Sequence, residues 1–209
     1  AGNLKEGIPT PSFGSVQPGD VKYSDLDENG VVDQNDITQI GKSVYPEWYY
    51  SFGGKIGFKG FDLEVLFQGA AGASVNLLDN WNQTVAFVNN GNAYEIAKGA
   101  WAYYPTEGID TRATARYPRL TTQNNENNYQ TSSLWIKNAD YLKLRNLELG
   151  YNFDNLKLQK AGIDNLRIYL SGQNLLTFSG LLKNYNLDPE RISGYPTVRS
   201  YNVGVSITF

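Results

Sequence analysis

The residues with the clearest chemistry form one run, Asp25-Leu26-Asp27-Glu28-Asn29-Gly30-Val31-Val32-Asp33-Gln34-Asn35-Asp36. Counted from Asp25, side-chain oxygens fall at positions 1, 3, 5, 9 and 12, a glycine at 6 and an apolar residue at 8. This is the spacing of an EF-hand calcium loop with Asp in place of Glu at position 12. The spacing has a physical cause. Alternate side chains of a tightly turning loop converge on one point, Gly30 takes the sharp turn, and the backbone carbonyl of Val31 adds an oxygen. Asp25, Asp27, Asn29, Asp33 and Asp36, with the Val31 carbonyl, are therefore candidate ligands of a structural divalent cation. Ca²⁺ comes ahead of Mg²⁺ because the ligands are many and flexible. The competing explanation is a solvated acidic turn around Asn29-Gly30, whose carboxylates would repel one another without a counter-charge. A single such loop with no long helix before it fits a structural clip rather than a sensor.

Other chemistry is scarce. The 209-residue chain contains no Cys, Met or His. That removes disulfides, thiol nucleophiles, imidazole bases and the usual zinc or copper ligands. A hydrolase would have to rely on paired carboxylates, as glycosidases do, and the best Asp cluster is already taken by the cation loop. The chain is not expected to be an enzyme. With 18 basic and 21 acidic residues and a net charge of −3, it has no electrostatic basis for binding nucleic acid. Aromatics are abundant, at 15 Tyr, 9 Phe and 4 Trp, and several of them fall in a long, Asn-rich stretch over 70–132. Trp81, Trp101, Tyr103, Tyr104 and Tyr117 are candidates for stacking on sugar rings or peptide side chains. Packing within the stretch itself, or against a partner protein, is the alternative use of each.

The elements that must carry these groups read as strands. Residues 1–24 are loop-like, broken by Pro9, Pro11, Pro18 and several glycines. After Pro46 a hairpin is expected over 49–69. Tyr50, Phe52, Gly54, Ile56 and Phe58 share one face, Lys59-Gly60 makes a two-residue turn, and Phe61, Leu63, Val65 and Phe67 return. That turn sets Phe58 opposite Phe61, Ile56 opposite Leu63, Phe52 opposite Phe67 and Lys55 opposite Glu64. Phe52 to Phe58 would span about 20 Å at roughly 3.3 Å per residue, close to the roughly 25 Å apolar band of a membrane barrel. Short helices are expected near Ser74–Val85 and Tyr94–Trp101, and regular structure resumes at Leu134-Trp135-Ile136. Further strands are expected over Tyr141–Phe153, Leu166–Asn174 and Ser200–Phe209, with a compact link at Asp154–Asn165 and a loop at Leu175–Thr197. In Tyr141–Phe153 the parity changes above Asn146, which calls for a bulge or an exit from the membrane. The last strand alternates strictly, Tyr201, Val203, Val205, Ile207 and Phe209 against small or polar residues.

Short connections at 59–60 and 154–165 alternate with long ones before Tyr50, at 70–132 and at 175–197. Membrane barrels show this contrast between periplasmic turns and extracellular loops. No window holds 18 consecutive apolar residues, so no transmembrane helix is expected, and the N-terminus does not read as a signal peptide.

Taken in order, several segments resemble the SusC/RagA-type TonB-dependent outer-membrane transporters. They are Pro18-Gly19-Asp20-Val21-Lys22-Tyr23 leading into Asp25–Asp36, then Ile40-Gly41 and Pro46, Phe58-Lys59-Gly60-Phe61-Asp62-Leu63 and Phe67-Gln68-Gly69. Tyr117-Pro118-Arg119-Leu120, Tyr141-Leu142-Lys143-Leu144-Arg145-Asn146 and Leu149-Gly150-Tyr151 follow. Arg167-Ile168-Tyr169, Gly172-Gln173-Asn174-Leu175, Leu187-Asp188-Pro189-Glu190 and the terminal Phe209 complete the set. The resemblance implies an all-β fold in which the chain supplies about five antiparallel strands of a 22-stranded barrel. Residues 1–48 and 70–132 would be extracellular loops, 49–69 a hairpin and 133–209 the final strands, with the C-terminus periplasmic. It implies import of oligosaccharides or peptides across the outer membrane of a Gram-negative bacterium. Its partners would be a SusD-like surface lipoprotein, TonB acting through a plug-bearing part of the barrel, and outer-membrane lipid with lipopolysaccharide. Tyr201, Val203, Val205, Ile207 and Phe209 would form the signal read by the assembly machinery. Five strands cannot close a barrel, so the chain is expected to be a fragment of one. The alternative is a secreted, Ca²⁺-stabilised β-sandwich that binds carbohydrate and buries Phe52, Phe67, Val203 and Ile207.

Overall fold

The computed structural model describes residues 7–153, 160 and 162–209. It divides into two compact units, Ala1–Gly41 with Val75–Lys137 and Lys42–Ser74 with Asn138–Phe209. Most of the link expected at Asp154–Asn165 lies outside the described residues.

The second unit is built on one five-stranded antiparallel sheet whose spatial order is the chain order. Its strands are β1 (Trp48–Phe58), β2 (Phe61–Ala71), β3 (Tyr141–Phe153), β4 (Asn165–Ser179) and β5 (Ser200–Thr208). The β1–β2 hairpin has the expected register, with Phe58 opposite Phe61, Ile56 opposite Leu63, Lys55 opposite Glu64 and Phe52 opposite Phe67. Its turn is made by Lys59 and Gly60 at φ 49° and 85°. Two successive positive φ values match the right-handed twist of the strands, and only a glycine takes the second without strain. The rings of Phe52 and Phe67 stack with centroids 5.2 Å apart.

The parity change in β3 is a bulge. Below it Leu66 pairs with Asn146, and above it Phe67 pairs with Leu144. Arg145 is the extra residue. On the other side the β3–β4 ladder slips at the same place, between Gln173 and Leu176, where Asn174 adopts φ 54°. The bulge returns Leu142 and Leu144 to the apolar face and keeps Lys143 and Arg145 with Gln68 on the polar one. Because the ladder resumes beyond it, β4 continues to Ser179 and runs into a helix, Gly180–Tyr185. The expected loop Leu175–Thr197 is thus shortened at its start.

The apolar face is uncovered. Phe52, Ile56, Leu170, Val203 and Ile207 are 54%, 71%, 55%, 76% and 47% exposed. A sandwich needs a second sheet on this face, and among the described residues there is none. The sandwich alternative is therefore overturned. No described helix is long and apolar enough to cross a membrane, which says nothing about crossing by strands.

The first unit is mostly irregular. Thr10–Pro11 pairs in parallel with Val31–Val32, and Leu77–Asn80 and Trp81–Thr84 form short helical turns. A further turn spans Glu95–Gly99. Its centre is Trp135, 2% exposed, with Leu77, Val85 and Val88 also buried. Trp135 does not extend the strand that begins at Ile136. Its indole Nε1 donates to the Asn128 carbonyl at 2.8 Å, as a buried indole N–H requires. An irregular chain must satisfy its backbone by other means than a ladder. Here fully buried Asn127 and Asn128 do it: Asn127 Nδ2 donates to the Val21 carbonyl, and Asn128 Oδ1 accepts the Val21 N–H.

Candidate functional site

In the Asp25–Asp36 loop, one carboxylate oxygen each from Asp25, Asp27 and Asp36 lies within 4.8 Å of the others. The turn that gathers them is held by its own backbone. Asp25 accepts the N–H groups of Asn29 and Gly30 at 3.2 and 2.7 Å, and Asp27 Oδ1 accepts that of Asn29 at 3.1 Å. Asp36 accepts those of Leu26 and Asp33, at 2.5 and 2.8 Å. These last two N–H groups hold the Asp36 carboxyl below the usual carboxylate range. Gly30 sits at φ 88° with open space around it, so backbone conformation rather than crowding selects glycine there.

The other three expected ligands make the following contacts. Asp33 caps the turn Gln34–Asp36 by accepting the Asn35 N–H and is not in the triad. Asn29 Oδ1 accepts the Val31 N–H, while its Nδ2 donates to Asp27. Val31 is tied into the short bridge with Thr10. Among the described residues no ammonium or guanidinium pairs with Asp25, Asp27 or Asp36. Three hard carboxylates answered only by backbone N–H groups and the neutral Asn29 amide fit a divalent cation of the Ca²⁺ or Mg²⁺ type.

The five candidate aromatics of the long stretch do not gather in one site. Trp101 and Tyr117 line an open cleft of about 1410 Å³ in the first unit, together with Tyr23, Lys22 and Arg116. Burial pushes the Tyr23 hydroxyl up to about 12. Tyr117 also stacks near Trp135 at 6.1 Å, and Trp81 packs edge-on against Tyr129 at 5.1 Å. Trp81 thus serves the unit's own core. Tyr103 and Tyr104 form a small pair with Ile109–Asp110, and the Arg112 guanidinium covers the Tyr103 ring at 3.8 Å.

The polar face of the sheet holds two ion-pair networks that periodicity alone does not reveal. Toward the hairpin turn, Arg167 Nη2 donates to Asp62 at 2.5 Å and to Glu148 at 2.7 Å, joining β4 to β2 and β3. A side chain on Gly150 would collide with that guanidinium. At the bulge, Lys143 is 1% exposed. Its Nζ donates to Asp188 at 2.8 Å and to Glu190 at 2.6 Å. Arg145 pairs with Glu190 as well and donates to Gln68 and Asn174 at 2.7 and 2.9 Å. Burial pushes the Asp188 carboxyl up, but hydrogen bonds from Lys143 and from the Glu190 and Thr197 N–H groups outweigh it and hold it at about 2. The sequence signal for both networks is a charge within the resemblance segments, as at Asp62, Lys143, Arg145, Arg167, Asp188 and Glu190, without a partner nearby in sequence.

On β5, Tyr201, Val203, Val205 and Ile207 lie on one exposed face, and Phe209 follows the strand, 82% exposed.

No protein-family model matches the chain. Over its whole length it is 30% identical to the TonB-dependent receptor P3 of Formosa agariphila, of which it covers 21%. Over 91% of its length it is 25% identical to TonB-dependent receptor P26 of the same organism, covering 20% of that protein. Among solved structures it matches that of the RagAB peptide transporter, with a TM-score of 0.63 and 26% identity over 92% of this chain and 20% of the other. The RagAB peptide importer in its closed-closed state matches with the same TM-score at 27% identity. The chain spans about a fifth of the length of each of these proteins. Its open antiparallel sheet, apolar on one face and ion-paired on the other, belongs with the barrel portion of the RagA-type TonB-dependent transporters.

Proposed function

We propose that this chain supplies barrel strands and extracellular loops to a TonB-dependent importer of oligosaccharides or peptides in a Gram-negative outer membrane. The observation that carries the reading is the pair of sheet faces. Exposed Phe52, Ile56, Leu170 and Val203 form the lipid side, in contact with outer-membrane lipid and lipopolysaccharide. The Asp62–Arg167 and Lys143–Glu190 networks form the wet side. Edge strands β1 and β5 then pair with neighbours in a larger barrel, because unpaired backbone in hydrocarbon costs several kcal/mol per group. The 59–60 turn faces the periplasm, and the segments 72–140 and 180–199 face outward. Aromatics such as Trp101, Tyr103 and Tyr104 contact the nutrient or a SusD-like lipoprotein lid, and TonB acts through the plug of the complete protein. Support for a peptide cargo is the likeness to RagAB, itself a peptide transporter.

The test is uptake of labelled oligopeptides and oligosaccharides by cells carrying or lacking the full-length transporter. TonB-dependent uptake that requires this protein is expected. Unchanged uptake on its removal, or a purified full-length protein that is monomeric and folded without detergent, would refute the reading.

Within this role Asp25, Asp27 and Asp36 hold a structural Ca²⁺, or Mg²⁺ in its absence, that fixes the 25–36 loop. The convergence of three carboxylates without a side-chain cation supports it.

A further inference from the structure

The connection from β4 to β5 has two kinds of anchor. Its first part is seated by burial. The helix Gly180–Tyr185 is capped by Ser179, whose Oγ accepts the Leu181 N–H at 3.2 Å, and it ends at Asn186 with φ 56°. Leu181 and Leu187 are 0% and 7% exposed. From Asp188 onward the loop is held by polar contacts, with Pro189 and Ile192 half-buried. Asp188 closes the neck of a compact loop by accepting the Glu190 N–H at 3.0 Å and the Thr197 N–H at 2.8 Å. Its own carbonyl accepts the Arg191 N–H at 3.0 Å. Beyond the neck, Arg191 and 193–196 are exposed, Tyr195 at 75%. Compact loops with pinned ends and exposed tips are a common form of functional loop.

Ion pairs and hydrogen bonds hold the neck to the strand wall. Lys143 meets Asp188 and Glu190, Arg145 meets Glu190, and the Tyr141 hydroxyl donates to Glu190 at 2.8 Å. Two cations balance two carboxylates in the attached state, and on detachment all four charges pass to water. Attraction in the attached state is offset largely by hydration regained on parting. The contacts converge on Asp188 and Glu190, on either side of Pro189, and break together, which favours two discrete arrangements over gradual loosening. A loop seated by buried leucines would lack that property, and the preceding helix is the part that is so seated.

We propose that residues 188–197 form a hinged strap that closes on the polar face of the wall and reopens as a unit, with Lys143 as its latch. Asn186, at the end of the seated helix, and Ser200, at the start of β5, are the hinge points. Only the placing of the strap over the transport path rests on the import reading.

The experiment is hydrogen exchange on the full-length transporter in detergent micelles. The amides of Glu190, Arg191 and Thr197 are expected to exchange at least 100-fold faster than those of Leu170 and Leu176 in β4, yet well below the rate of an unstructured peptide. Lys143→Met should raise those three rates, and tryptic cleavage after Arg191, a further tenfold or more, with β4 unchanged. Exchange of the three amides in step with β4 would make the strap part of the wall. Exchange at the unstructured rate would mean it is never closed. Either result overturns the proposal, as does a Lys143→Met rate within twofold of the parent. If that variant fails to fold, the parent comparison and Asp188→Asn decide on the same criteria. A detergent-free monomer would sink the import reading and leave the exchange result standing.

Discussion

The molecule solves one electrostatic problem twice, and differently. Asp25, Asp27 and Asp36 converge in a loop where backbone N–H groups and the Asn29 amide are the donors, so no side-chain cation among the described residues balances their charge. Asp188 and Glu190 converge in a strap where Lys143 and Arg145 supply the charge. In the first case every donor comes from the same short run of sequence. In the second the partners are 45 and 47 residues away. A self-contained loop can fold around a cation, whereas the strap depends on β3 having formed first. The same difference decides what each cluster costs when a component is removed.

Loss of the latch should have the largest effect. Lys143→Met leaves two buried carboxylates sharing one remaining cation, Arg145. Breaking a buried pair from one side typically costs about 3–5 kcal/mol. The closed strap bears this cost and sheds it by opening, so the strap should lose its exchange protection at lower denaturant than in the parent while the barrel midpoint moves little. Adding Asp188→Asn and Glu190→Gln should recover much of that protection, since neutral groups of the same shape need no counter-charge. A triple variant no better protected than the single one would show that Lys143 acts through packing instead.

Next comes the ion. At a free Ca²⁺ concentration 100-fold above its Kd, a cation bound only by the folded loop adds about 2.7 kcal/mol. Chelation should therefore speed proteolysis within residues 20–45 by roughly a hundredfold, if cleavage follows local opening. Asp27→Asn with Asp36→Asn should abolish the Ca²⁺ dependence. Asp33→Ala should keep it and lose only a helix cap, about 1 kcal/mol, because Asp33 faces the Asn35 N–H. Equal losses of Ca²⁺ response in both variants would return Asp33 to the ligand set.

The two clusters also mark what the sequence makes legible. Side chains alternating with period two gave the hairpin register residue by residue, because a two-residue turn leaves no freedom in the pairing. The 25–36 loop was legible for the same reason, all its contacts being local. Parity showed that something happens above Asn146 but not what, since a bulge and an exit from the membrane make the same pattern. Among the resemblance segments, only the structure shows which ones meet. Asp20 pairs with Arg119 at 2.7 Å, Asp62 with Arg167, and Lys143 with Asp188 and Glu190. Each pair joins two such segments distant in sequence. The aromatics were the least legible. Trp81 and Tyr104 look equivalent as letters, yet one is packed on Tyr129 and the other is 56% exposed.

Acid separates the clusters by a smaller effect. Asp188 is held at about 2, below the roughly 3.9 of an unfolded aspartate. A depressed carboxyl contributes stability that is full above the unfolded value and fades as the pH falls through the folded one. Strap exchange, corrected for intrinsic rates, should thus be flat from pH 7 to about 4 and rise toward pH 2. Asp36 is depressed too, by the N–H groups of Asp33 and Leu26, so its loop also loosens in acid. Here protons compete with the cation, and raising Ca²⁺ should move the loop's transition to lower pH. The strap has its cations built in, and its transition should stay where it is. A strap that followed Ca²⁺ would mean the two clusters are one coupled system.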